Sequence, residues 1–260
     1  MIEPFSPQVI LRFHRIALEE LSSRGARLHM PSRACRIHAF YLDADSEVGS
    51  RCEQWLSQSE RERAERLRFA HDRYHYVVAH GYLRYILGRY CGLEPEVLEF
   101  HAREGGKPAL FEHGGQPSRF TYSLSHSHGC GLVAVAEGFE VGVDLEQVRD
   151  DVDHLTLAQR FFSAAESDAI RSQPKEAQQT AFFRHWVGKE AVLKAKGTGL
   201  HFPLKACELV FRATEDRASV RGGLAAENEH RWDVRFLPLE AGWVGAVAAE
   251  GVGWMVTYGS

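Results

Sequence analysis

The chain has 260 residues, 44% of them hydrophobic and 25% charged, with 23 Gly and 9 Pro, which excludes a disordered, collagenous or fibrous-repeat protein. Its formal net charge of −4 gives no whole-molecule attraction to nucleic acid, and no apolar run approaches the about 20 residues that span a bilayer. Five cysteines, odd in number and without a C-x-x-C pair, argue against a disulfide framework or a zinc knuckle and for a reducing, cytoplasmic compartment.

Residues 1–35 read as an irregular leader, and Met1-Ile2-Glu3-Pro4-Phe5 lacks the basic cap and apolar run of a secretory signal. Alternation over Arg36–Leu42 predicts the first strand. Helical text follows over Trp55–Phe69 and Asp72–Tyr90, where Val77, Val78, Tyr82, Leu83, Ile86 and Leu87 are spaced for one face, and Gly92 stops it. Short strands broken by glycine come next: Leu98–Phe100, Ala109–Phe111, Phe120–Ser125, Gly131–Ala136 and Val141–Val148. Beyond them, Leu155–Phe162 and Ala181–Lys196 predict helices, and Cys207–Arg212, Arg231–Leu237, Trp243–Ala249 and Trp254–Tyr258 predict strands. The second half therefore repeats the order of the first, and Gly131–Gly138 echoes Trp243–Gly251. The expected fold is α+β, with two similar lobes in a pseudo-twofold arrangement, each a small antiparallel sheet packed on a long helix. The expected division is a leader at 1–35, a first lobe at 36–140 and a second at 141–260, with a site in the cleft between lobes.

Two stretches carry the strongest chemical signal. In Gly142-Val-Asp144-Leu-Glu146 the two acids are two apart on a strand, so both carboxylates share one face. Such a pair either meets nearby arginines at a solvated strand end or is neutralised by a divalent cation, for which an all-oxygen set favours Mg²⁺ or Mn²⁺ over zinc. In Trp186-Val-Gly-Lys189-Glu190-Ala-Val-Leu-Lys194-Ala-Lys196-Gly197, Glu190 and Lys194 are four apart on a helix, either an ordinary surface pair or part of a metal–phosphate site. The chain has 25 Arg and only six Lys, and three of those six fall in this segment. Gly188, costly in a helix interior, implies a close neighbour. Lys107 in Gly105-Gly106-Lys107-Pro108, with Ser125-His126 at a strand end, adds groups suited to phosphate oxygens. The Arg/Glu run Ser59–Arg68 balances its own charges and reads first as a solvated helix face.

Taken together, Gly106-Lys107-Pro108, Ser123–Ser127, Val141–Glu146, Arg160–Ser163 with Glu166, and Phe183-x-x-Trp186-x-x-Lys189-Glu190-x-x-x-Lys194-x-x-Gly197 resemble the 4′-phosphopantetheinyl transferase family, in its long, two-lobed, surfactin-synthetase-activating type. The resemblance spans roughly 36–250 and implies transfer of the phosphopantetheine arm of coenzyme A to a serine of an apo acyl or peptidyl carrier protein, releasing 3′,5′-ADP. It implies that Asp144, Glu146 and Glu190 hold Mg²⁺, with Mn²⁺ as a substitute. Glu190 would be the general base and Lys194 would neutralise the pyrophosphate. Gly106, Lys107 and Pro108 would pack on the adenosine, Arg63 and Arg61 with His126 would bind the 3′-phosphate, and Ser125 would border the phosphates. Phe202, Leu204 and Lys205 offer apolar and basic text for the carrier, or else Phe202 and Leu204 cap the second core. A monomer is expected, since one chain supplies both lobes, with no nucleic-acid or membrane partner. The rival readings are a non-catalytic carrier or coenzyme A binding module of the same fold and a Mg²⁺-dependent phosphohydrolase.

Overall fold

A computed structural model of the chain describes residues 10–22, 27–103, 106–112, 115–198, 202–212, 216–222 and 232–259. Elements run in the order α1 Leu18–Ser22, β1 Ala34–Tyr41, α2 Ser46–Trp55, α3 Gln58–Glu65, α4 Ala70–Cys91, β2 Glu99–Ala102, β3 Pro108–Glu112, β4 Gln116–Pro117, β5 Phe120–Ser127 and β6 Cys130–Glu137. After the linker come β7 Val141–Gln147, α5 His154–Phe161, α6 Ala164–Arg171, α7 Lys175–Lys196, β8 Glu208–Phe211, β9 Arg217–Arg221, β10 Trp232–Phe236, β11 Trp243–Glu250 and β12 Met255–Tyr258. Among the described residues no helix is long and apolar enough to cross a membrane.

The repeated order in the sequence is a repeated topology. One sheet is ordered β12-β1-β6-β5, another β7-β11-β10-β9-β8, so β1-β6-β5 and β7-β11-β10 are the same antiparallel motif twice. Each motif packs on a 22-residue helix, α4 or α7, that ends on a left-handed glycine, Gly92 or Gly197. Three sets of buried apolar side chains result: one around α4, one around α7, and a third between the sheets from Ile37, Leu132, Val143, Leu145 and Val247. That third cluster joins the lobes, and burial of such aliphatic groups contributes about 1.5–3 kcal/mol per side chain.

Three features depart from the expectation. β12 belongs to the first lobe's sheet, parallel to β1 in the register Ala34↔Met255 to Ile37↔Tyr258, although its residues follow the second lobe in sequence. The leader is docked along residues 10–22: the Leu11 N–H donates to Pro238 O at 2.8 Å, and Phe13 packs between Tyr41 and Trp243. Helix begins earlier than the expected Trp55: Ser46–Trp55 is itself helical and buries Val48, Cys52 and Trp55.

Candidate active site

The edge strands β5 and β7, one from each lobe, face one another, and α7 lies across β7. Gly142 makes that crossing close, because a Cβ there would fall 2.0 Å from Ala191 O and 2.3 Å from Ala195 N. With the helix backbone this near, side chains of Glu190 and Lys194 reach the carboxylates of β7. Gly188 answers to packing: a Cβ there would meet Leu209 Cδ1 at 2.6 Å, so the neighbour it admits is a core leucine.

Asp144 is 5% exposed and its Oδ1 accepts from Lys194 Nζ at 2.7 Å and from Ser125 Oγ at 2.8 Å. Lys194 Nζ also donates to Ser125 Oγ at 2.9 Å, closing a triangle. Ser127 Oγ donates to Glu146 Oε2 at 2.8 Å, and Ser123 Oγ accepts from the Val143 N–H at 3.1 Å. The serines at 123, 125 and 127 thus share one face of β5 and stitch the first lobe to the acid-bearing strand. Glu190 has its pKa pushed up to about 7, first by desolvation and then by Asp144 and Glu146, against the pull of Lys194. Glu146 is raised in the same sense, by desolvation and by Asp144.

Among the described residues, Asp144 Oδ2 and Glu190 Oε1 are buried with no hydrogen-bond partner. Orphaned carboxylate oxygens beside a third acid fit a hard divalent cation, since otherwise each carries an uncompensated desolvation cost. Among the described residues no three His, Cys, Asp or Glu side chains converge as a ready ligand cluster. Asp144, Glu146 and Glu190 are electrostatic neighbours rather than a closed cage, and the positive charge beside Asp144 is the Lys194 ammonium.

A cavity of about 1150 Å³ opens next to this triangle and is walled by both lobes. Arg63, Arg66, His80 and His126 line its polar side; Tyr76, Phe100 and Tyr122 line its apolar side; Gly106, Lys107, Pro108, Lys194 and Gly197 lie where the lobes meet. His126 is held down to about 4, by desolvation in the cleft and by the neighbouring His80, Lys194 and His75. Gly106 adopts φ +86 with open space around it, a turn conformation that glycine takes at no steric cost.

A model described as the 4′-phosphopantetheinyl transferase superfamily matches residues 140–248. The chain is 37% identical over 199 residues to 4′-phosphopantetheinyl transferase HetI of Nostoc sp., covering 76% of this chain and 80% of that protein. The chain belongs to the 4′-phosphopantetheinyl transferase superfamily. It is also 34% identical over 162 residues to 4′-phosphopantetheinyl transferase psf-1 of Bacillus pumilus (62% of this chain, 66% of that one). To 4′-phosphopantetheinyl transferase Sfp of Bacillus subtilis it is 26% identical over 171 residues (65% and 73%).

Several residues singled out in the sequence stand elsewhere. Arg61 turns away from the cavity and donates to Gln54 O at 3.2 Å; two positions along a helix from Arg63, it points to another side. Arg66, not anticipated, lines the cavity instead. The Lys107 ammonium is not free for an anion: it donates to Glu140 Oε2 at 2.7 Å, Val141 O at 3.0 Å and Ala195 O at 3.3 Å, leaving its alkyl stem along the wall. Burial lowers its pKa, against the pull of Glu140. Leu204 is buried and Phe202 half-buried, both packed against the α7 core as in the alternative that has them cap the second core; Lys205 is exposed. Leu200 and His201 lie outside the described residues. Lys189, counted among the clustered lysines, is fully buried and donates to Glu166 Oε2 at 2.7 Å and to Leu204 O and Cys207 O at 3.0 and 2.5 Å. His80 and Ser127 were missed, though each was legible: Ser127 repeats the facing of Ser125 two residues on, and His80 precedes Arg84 by one helical step.

Proposed function

We propose that this chain transfers the 4′-phosphopantetheine arm of coenzyme A to a serine hydroxyl of an apo carrier protein, with Mg²⁺ or Mn²⁺, releasing 3′,5′-ADP. The observation that carries the reading is the pair of orphaned carboxylate oxygens, Asp144 Oδ2 and Glu190 Oε1, beside an ammonium at the wall of a cavity that both lobes build. Asp144, Glu146 and Glu190 would hold the cation, which when bound offsets their repulsion toward the pyrophosphate and stabilises charge on the departing phosphate. Lys194, already oriented by Ser125 and Asp144, neutralises the pyrophosphate oxygens. Arg63, Arg66 and His126 form the polar wall suited to the 3′-phosphate, and Gly106, Pro108 and the Lys107 stem flank the nucleoside.

Glu190 accepts the proton of the attacking serine: its carboxyl group, raised by burial and by the neighbouring acids in the free protein, would be returned to the ionised base form by the cation it helps to hold. The phosphorus–oxygen bond to the nucleotide breaks as the serine–phosphorus bond forms, and 3′,5′-ADP leaves. The reading further places the lobes at 36–140 and 141–260, apart from β12, which completes the first lobe's sheet, with the first lobe holding the nucleotide and the second the acids, in a cytoplasmic monomer. Intact mass of an apo carrier, incubated with this protein, coenzyme A and Mg²⁺, tests it. A gain of one phosphopantetheine, lost with EDTA or in Asp144→Ala, is expected; no gain across several carriers would overturn transfer and favour a binding module.

A further inference from the structure

Ser127 has two polar contacts, and their chemistry fixes which way each bond runs. Its Oγ donates to Glu146 Oε2 at 2.8 Å. A hydroxyl has one proton, so at its other contact, 2.8 Å from His128 Nδ1, the imidazole is the donor. His128 can reach back because it occupies the left-handed first position, φ 44, of the two-residue turn His128-Gly129 that joins β5 to β6. The result is a directed chain, His128 Nδ1–H to Ser127 Oγ–H to Glu146 Oε2, which commits one oxygen of Glu146. Ser125 and Lys194 do the same for Asp144, committing Oδ1 while Oδ2 stays buried without a partner among the described residues.

We infer that Ser127, oriented by His128, is a positioning residue that fixes Glu146 with one oxygen held and the other available to a divalent cation alongside Asp144 Oδ2 and Glu190 Oε1. This rests on the cation reading above. The physical reason is that a carboxylate pinned at one oxygen loses little further rotamer freedom when it ligates, whereas an unpinned one must be ordered by the metal itself. Ser127 and His128 belong to the first lobe's hairpin and Glu146 to the second lobe's edge strand, so one lobe sets the ligand geometry of the other.

The test is Mn²⁺ binding followed by electron paramagnetic resonance with coenzyme A present, in the parent chain, Ser127→Ala, Ser127→Thr and His128→Gly, with unfolding midpoints alongside. Ser127→Ala is expected to weaken Mn²⁺ by about tenfold or more, the range for losing a group that orients a metal ligand. Ser127→Thr, which keeps the hydroxyl, recovers most of it, and His128→Gly, which keeps the left-handed turn, gives a smaller loss. In a Glu146→Gln background Ser127→Ala has no further effect on Mn²⁺. A purely structural serine would lower the unfolding midpoint and leave Mn²⁺ affinity alone. Parent-like affinity in Ser127→Ala, or a loss in Ser127→Thr as large as in Ser127→Ala, overturns the positioning role while the cation reading stands. Should Ser127→Ala fail to fold, unchanged affinity in His128→Gly removes the relay. A parent chain that binds no Mn²⁺ overturns both.

Discussion

The two lobes are built on one plan and differ where the chemistry would be. In the first, Ser57 and Glu60 form a capping box at the start of α3, and Glu60 pairs with buried Arg84 of α4 at 2.7 Å. Arg84 also donates to Pro95 O and Leu98 O at 2.9 and 3.0 Å. In the second, Ser163 and Glu166 form the same box on α6, Glu166 pairs with Lys189 of α7, and Lys189 reaches Leu204 O and Cys207 O. Aligning Glu137-Gly138 with Glu250-Gly251 and reading across the ladders sets His38 opposite Asp144 and Phe40 opposite Glu146. Counting from the pins sets Tyr85 opposite Glu190. The first lobe thus fills with an uncharged histidine, held down to about 3 by burial and by Arg36, and with aromatic rings the place where the second keeps three acids. The ion-pair pins are therefore scaffold common to both halves, whereas the three acids occur at the matched positions of one half only.

Substitutions at the matched positions should act very differently in the two lobes. Glu190→Gln should cut transfer to a carrier by about 10²–10⁴-fold, the scale of a general base, measured by intact-mass rates. Tyr85→Phe, which removes the hydroxyl that donates to Glu20 O and keeps the ring, should leave the rate near that of the parent. If the pins are equivalent scaffold, Arg84→Met and Lys189→Met should each cost about 3–5 kcal/mol in denaturant unfolding, because each strands a buried glutamate. A loss in only one of them would show that one lobe carries the stability.

A smaller effect separates the lobes by pH. Glu190 is raised from 4.5 to about 7, so the fold favours its protonated form. Without divalent cation, stability should fall as pH rises from about 4.5 to about 7, and Glu190→Gln should flatten that slope in thermal melts. Glu60 in the first lobe is lowered to about 2 despite its desolvation, by His80 and Arg84, and contributes in the opposite sense: its stabilisation is lost as pH falls below the usual carboxylate range. The least effect is expected at the strut between lobes, where Glu140 joins Lys107 and Arg103 and stays below the usual range through those bonds. Glu140→Gln, partly exposed, should cost about 1 kcal/mol or less, read as an up to fivefold higher KM for coenzyme A with kcat unchanged.

Much of this was legible in the chain. The Gly131–Gly138 echo identified β6 and β11, and the Asp144/Glu146 spacing put both acids on one side of β7, because strand and helix periods are local properties of the sequence. The helix Ala164–Arg171 escaped although its capping box, Ser163-x-x-Glu166, was in view; at eight residues its apolar period is too short to register. Lys189 and Lys107 were misjudged for one reason: a lysine's task is set by what surrounds its ammonium, and the carbonyls that bind both come from distant segments. The placement of β12 and the docking of Leu11 and Phe13 depend wholly on long-range contacts and leave no local mark.

The pairing of β12 with β1 makes the two ends of the fold interdependent. Met255 lies more than two hundred residues after Ala34, so during synthesis the edge of β1 stays open long after the rest of its sheet could assemble. An open strand edge invites pairing with other chains, which makes the nascent first lobe the stretch most in need of a chaperone. It also means that a tag or fusion grafted onto residues 255–258 would strain the first lobe rather than the one it follows in sequence.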